Sequence, residues 1–213
     1  LGKEYETFKS DSSVVYYNRA IELARKLNDP IQMTYATLGK IKVFGILGYF
    51  KEASDLLTQI EHEGVPETLM NEWLDCGRQL YSYLCVYTQN YTNLLLPDYM
   101  KILNYYRDEQ LEMLEEGTAE YKQFLAEHYM AYGEYGKAKL LFSELIDAVS
   151  DSSNTFARAA ANMAIIKEME GAEDVAAHYL VLSAISDIKC AVKENTSLQK
   201  LALYLYTKGD IDH

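Results

Sequence analysis

The side chains of this sequence best able to do chemistry are four histidines, three cysteines and a lysine that closes a short glycine-containing run. His62, His128, His178 and His213 are scattered, with no His-x3-His pair and no His/Cys cluster at ligand spacing, so no metal site is expected. His62 stands between Glu61 and Glu63, but neighbours one apart on a helix do not face the same ion. A solvated histidine is the simpler reading. Gly133-Glu134-Tyr135-Gly136-Lys137 resembles a phosphate loop but lacks the full spacing and the Ser/Thr after the lysine. No Ser–His–Asp or Cys–His order stands out, no two carboxylates pair convincingly, and the many Glu are what solvated helix faces require. Cys76 and Cys85 are nine residues apart on one helical stretch, hence on opposite faces, and Cys190 is alone. Small buried thiols are expected rather than a disulfide. The expectation is a protein that is not an enzyme and uses no cofactor.

Charge narrows the partners. Against 20 Lys+Arg stand 32 Asp+Glu, a net charge of −12, which repels a duplex and argues against direct nucleic-acid binding by this segment. With 49% apolar residues the chain can bury a sizeable core. Its longest apolar stretches, Val43–Phe50 and Ala176–Ile185, fall well short of the roughly 20 residues that cross a bilayer.

The elements that hold these residues recur. Leu125, Ala126 and Tyr129 precede Gly133, and Tyr135, Ala138, Phe142 and Leu145 follow it. Met163 and Ala164 precede Gly171, with Ala176 and Leu180 after it; Leu201, Ala202 and Leu205 precede Gly209, with Ile211 after it. The turn glycines at 133, 171 and 209 are 38 and again 38 residues apart. That is the layout of antiparallel helix pairs, helix A and helix B, joined by a tight turn in which glycine supplies positive φ and small residues let the two helices approach. Upstream, Gly48 begins another turn after a helix from about Ile31 to Leu47, and Asn28-Asp29-Pro30 closes an earlier helix B. Glu67–Thr88 reads as a long helix turning near Gln89-Asn90-Tyr91, Pro97 interrupts the helix after that turn, and Glu115–Thr118 is a loop. No strand signal survives, because Val14-Val15-Tyr16-Tyr17 runs straight into a helical period. The fold expected over 1–213 is a single all-α domain, a right-handed superhelix of stacked tetratricopeptide-like (TPR-like) pairs. The pattern breaks off at Gly209–His213 where a helix B should begin, which predicts that the natural chain continues.

In such arrays the concave groove is lined by helix A positions that face away from helix B. Counting back from each turn, those are Tyr35, Asp75, Arg78, Tyr83, Tyr87, Glu127, Met130, Arg158 and Tyr206. Aromatic faces, a fork-shaped Arg donor and carboxylates suit a sugar ring or an extended peptide. With 19 Tyr against one Trp, many of the rings must also be plain packing, and Tyr129 and Tyr135 sit where packing requires them.

The segments AIELARKLNDP, GYFKEASDLLTQI and above all SAISDIKCAVKENTSLQKLALYLYTKGDID resemble the N-terminal sensor portion of membrane-anchored, TPR-containing transcriptional regulators of Bacteroides, a group similar to the starch-utilisation regulator. The resemblance implies a periplasmic helical-repeat domain followed by a transmembrane helix, a coiled coil and a DNA-binding domain, none of which lies in this segment. It therefore implies a sensor of a signal for polysaccharide utilisation, and together with the Tyr-rich groove a glycan or glycan-derived ligand. The partners expected are a glycan or a peptide in the groove and a second copy of the chain in a homodimer. Contact with the membrane would come only through the missing C-terminal helix. The competing expectation is a protein–protein adaptor that holds a peptide or partner helix in its groove.

Overall fold

The computed structural model of the chain describes residues 10–91, 94–190 and 196–208, and among them it holds ten α-helices and no strand. The all-α expectation is met. Contacts between helices divide the chain into two compact units, Leu1–Met113 and Leu114–His213.

The recurring glycines act as their spacing requires. Gly48, Gly133 and Gly171 hold φ of 80°, 79° and 74°, a left-handed conformation that a Cβ strains. The residue after each glycine donates its N–H five positions back: Tyr49 to Phe44 (2.9 Å), Glu134 to Tyr129 (2.8 Å) and Ala172 to Lys167 (2.9 Å). Carbonyls that the ending helix leaves unpaired are thereby satisfied. Five positions after each glycine stands a buried alanine, Ala53, Ala138 or Ala176, in the first turn of helix B. Ala126 and Ala164, seven before their glycines, are buried against the partner helix as expected. Ala202, third in that register, is exposed. Gly209 and Ile211 lie outside the described residues.

The first unit contains α1 (Ser10–Lys26), α2 (Pro30–Leu47), α3 (Phe50–Glu63), a 3-10 turn at Glu67–Leu69, α4 (Met70–Tyr91) and α5 (Leu96–Glu112). Asp29 starts α2 by accepting the Gln32 N–H at 3.0 Å, with Pro30 in the first helical position. Helix α2 packs against α1, α3 and α4, and α4 packs against α5. The core between them gathers Leu38, Ile41, Leu57, Trp73 and Leu80. Two expectations fail here. Helix α4 runs on through the supposed turn to Tyr91, because Gln-Asn-Tyr contains no true breaker and the buried face through Leu84, Cys85 and Thr88 keeps its period. Pro97 opens α5 instead of interrupting it, since the first turn of a helix has no acceptor for the N–H that proline lacks.

The second unit contains α6 (Ala119–Ala131), α7 (Tyr135–Ala148), α8 (Asn154–Met169), α9 (Glu173–Lys189) and α10 (Thr196–Lys208). Thr118 and Ser153 cap α6 and α8 by accepting the N–H groups of Tyr121 and Phe156, each at 3.1 Å. Phe142, Leu145, Met163 and Ile166 fill the space between α6, α7 and α8, and α10 packs on α9.

Candidate functional site

Of the helix A positions singled out from the sequence, Asp75, Arg78 and Tyr83 in the first unit and Glu127 and Arg158 in the second form a stripe where consecutive A helices meet. In the first unit the stripe runs over α2 and α4. Asp75 of α4 receives Lys42 Nζ of α2 at 2.7 Å, Arg78 Nη2 at 2.6 Å and Gln79 Nε2 at 2.7 Å. Arg78 Nε donates to Gln110 Oε1 of α5 at 3.2 Å, and Gln110 Nε2 donates to Asn71 Oδ1 at 3.2 Å. Burial raises the proton affinity of the Asp75 carboxyl, but Lys42 and Arg78 outweigh it and hold the pKa down at about 2. Asp75 and Arg78 are thus joined, as their spacing suggested, but as the centre of a brace across three helices.

The second unit repeats the device with the charges exchanged. Glu127 of α6 receives Arg158 Nη2 of α8 on both carboxylate oxygens, at 2.7 and 2.9 Å, and Gln123 Nε2 at 2.6 Å. The Arg158 guanidinium lies 5.3 Å from the centre of the Phe124 ring, a cation–π contact that fixes its plane. Lys42 and Asp75 are 33 residues apart, Glu127 and Arg158 are 31. Lys42 and Glu127 each stand six residues before their turn glycine, Gly48 and Gly133, so carrying the Glu127 register back to the earlier turn would have found Lys42, the partner that sequence reasoning missed.

The tyrosines divide. Tyr83 is half-buried, and its Cδ2 would stand 3.1 Å from a Cβ on Gly45, so its ring rests on α2 at a position left open by glycine. Tyr35, Tyr87 and Tyr206 are 41%, 49% and 64% exposed. Tyr35 borders a shallow cleft of about 350 Å3 with Tyr16, Leu23 and Leu27 of α1. The Tyr87 ring is 5.4 Å from that of Phe50. Met130 packs on the second-unit core. Three further tyrosines form a ladder between α4 and α5: Tyr99 to Tyr81 at 6.0 Å, Tyr81 stacked on Tyr106 at 5.8 Å, and Tyr106 on Trp73 at 5.2 Å. Burial pushes the Tyr106 and Tyr81 hydroxyls up, with neighbouring tyrosines and Glu61 adding to it. These rings serve packing.

Among the described residues no group of His, Cys, Asp and Glu converges as a metal site, and no helix is long and apolar enough to cross a membrane. Cys76 turns toward α2, donating to Leu38 O at 3.5 Å, burial pushes the Cys85 thiol up against the opposing charge of Arg107, and none of the three cysteines is in a disulfide. The arrangement on the stripe can hold consecutive A helices in register and present aromatic faces beside them.

The family model described as the SusR N-terminal TPR domain matches residues 1–213. No curated protein matches the chain.

Proposed function

The chain belongs to the SusR N-terminal TPR domain family, and on that premise we propose that it is the signal-sensing part of a transcriptional regulator of polysaccharide utilisation. The match over all 213 residues carries this reading, and a helical-repeat fold of this type is in general non-catalytic. We place the domain in the periplasm, as the sensor portion of an inner-membrane protein. The signal is a glycan or glycan-derived molecule read on the A-helix stripes. Three exposed rings on the A helices, Tyr35, Tyr87 and Tyr206, supply flat apolar faces suited to a pyranose ring. Asp75, Arg78 and Glu127 are the polar groups beside them, and a ligand hydroxyl competes with their internal bonds for access.

Tyr35→Ala, Tyr87→Ala and Tyr206→Ala in the full-length regulator test the site. Transcription of the neighbouring polysaccharide genes should lose its response to inducer while the melting temperature of the 213-residue chain stays close to that of the parent. Unchanged induction in all three moves the site off the stripes. A second reading is an adaptor that holds a peptide or partner helix, and the exposure of Val86 beside Tyr87 and of Leu203 near Tyr206 favours it. Pull-down of a partner protein that is lost in the same variants, with induction by glycan intact, would select it.

A further inference from the structure

Three helices of the first unit enclose a cleft of about 380 Å3, within the usual size range for a small-ligand site. Ile21 of α1, Met33 of α2 and Leu56 and Ile60 of α3 form its apolar floor. The cleft is not part of the A-helix stripe. Lys42, which marks the stripe on α2, lies nine residues beyond Met33, and nine steps of about 100° bring it to the opposite side of the helix.

The polar groups on the two sides are used differently. On the stripe, Lys42, Asp75, Arg78 and Gln79 bond to one another. Around the cleft stand Asn18, Glu22, Arg25 and Thr34, and no hydrogen bond or ion pair ties their side chains to any described residue. Their arrangement follows from topology. Helices α1, α2 and α3 alternate in direction, so Arg25 near the end of α1, Met33 and Thr34 near the start of α2, and Glu63 at the end of α3 gather at one end of the cleft. Glu22 is one turn from Arg25 on the same face of α1. A guanidinium and two carboxylates therefore flank an aliphatic floor, and the Lys40 ammonium of α2 lines the cleft as well. No aromatic ring lines the cleft, which removes the usual platform for a sugar or a flat heterocycle. Two cations against two carboxylates leave the lining without net charge, so a polyanion gains no net attraction there.

We propose that this cleft binds a small zwitterion with an aliphatic side chain, of the size of a dipeptide. Its carboxylate is gripped by Arg25, its ammonium by Glu22 or Glu63, and its side chain lies on Ile21, Met33, Leu56 and Ile60. The inference does not rest on the family assignment or on the tyrosines of the stripe, so its failure leaves the sensing proposal standing.

Titration calorimetry of the 213-residue chain with leucyl-leucine tests it, with N-acetyl-leucyl-leucinamide as the probe that keeps both side chains and removes both charges. Saturable binding of the dipeptide is expected, absent for the capped probe. Arg25→Ala should weaken it about tenfold or more, because a charge-assisted bond is lost. Glu22→Gln combined with Glu63→Gln, changes of exposed side chains that preserve their size, carries the same test if Arg25→Ala proves poorly folded. No saturable heat up to roughly 10 mM dipeptide, equal binding of the capped probe, or unchanged affinity in the variants overturns the proposal.

Discussion

Replacing Asp75 by Asn removes the charge at the centre of the first-unit brace and keeps its shape. The carboxyl is held at about 2 against an ordinary 3.8, and each tenfold change in proton affinity is worth about 1.4 kcal/mol, so the ionised form contributes about 2 kcal/mol. The side chain is only 25% exposed, so solvent screening removes a modest part of that figure. Because the folded-state value is depressed, the contribution is fully present above pH 4 and is lost as pH falls from about 4 to 2. Asp75→Asn should therefore be less stable than the parent by about 2 kcal/mol at pH 7, and the gap should close toward pH 2. Other carboxylates titrate in both proteins and cancel in the difference. The assay is urea unfolding followed by tryptophan fluorescence. Trp73 is the chain's one tryptophan, 4% exposed and two residues from Asp75 on α4, so the signal reports this unit. A gap that is absent at pH 7, or that persists unchanged at pH 2, refutes the brace as a source of stability.

Other consequences are simpler to state. Ala126→Leu forces a side chain between α6 and α7 where Ala126 is fully buried, and should lower stability by about 1–3 kcal/mol in thermal or urea melts. Gly77→Ala would set a Cβ 2.4 Å from the Tyr106 ring; a loss of similar size, about 1–3 kcal/mol, is expected by the Trp73 signal even though alanine is the better helix former. Tyr83→Ala should cost about 2–3 kcal/mol because its half-buried ring fills the space over Gly45. Tyr87→Ala, on the exposed side, should cost no more than about 1 kcal/mol; the reverse order in melting temperature would show that the two rings have been assigned the wrong roles.

The repeat was legible because it rests on local backbone chemistry. A glycine that must take positive φ, an alanine seven residues before it and another five after it are determined within one turn and its two helices, so Gly133 and Gly171 marked their pairs from sequence alone. The end of α4 was misread for a related reason. Gln89 and Asn90 are weak turn residues, and the buried face of Leu84 and Thr88, which depends on partners far along the chain, overrides them. The stripe was legible as a set of positions but not as a set of bonds. Asp75 and Arg78 advertise each other at i,i+3, whereas Lys42 and Gln110 reach them from 33 and 32 residues away. Tyrosine is the hardest case, since the same residue type packs over Gly45 at position 83 and stands in solvent at position 206. The neighbouring helix, not the sequence nearby, decides between them.

Deleting residues 1–213 from the full-length regulator proposed above tests the central proposal most directly. The measurement is transcription of the neighbouring polysaccharide genes with and without inducing glycan, in cells where the shortened protein is shown by immunoblot to accumulate. Sensing by this domain predicts transcription that no longer depends on the inducer, whether its constant level is high or low. Induction that persists undiminished without residues 1–213 would contradict it.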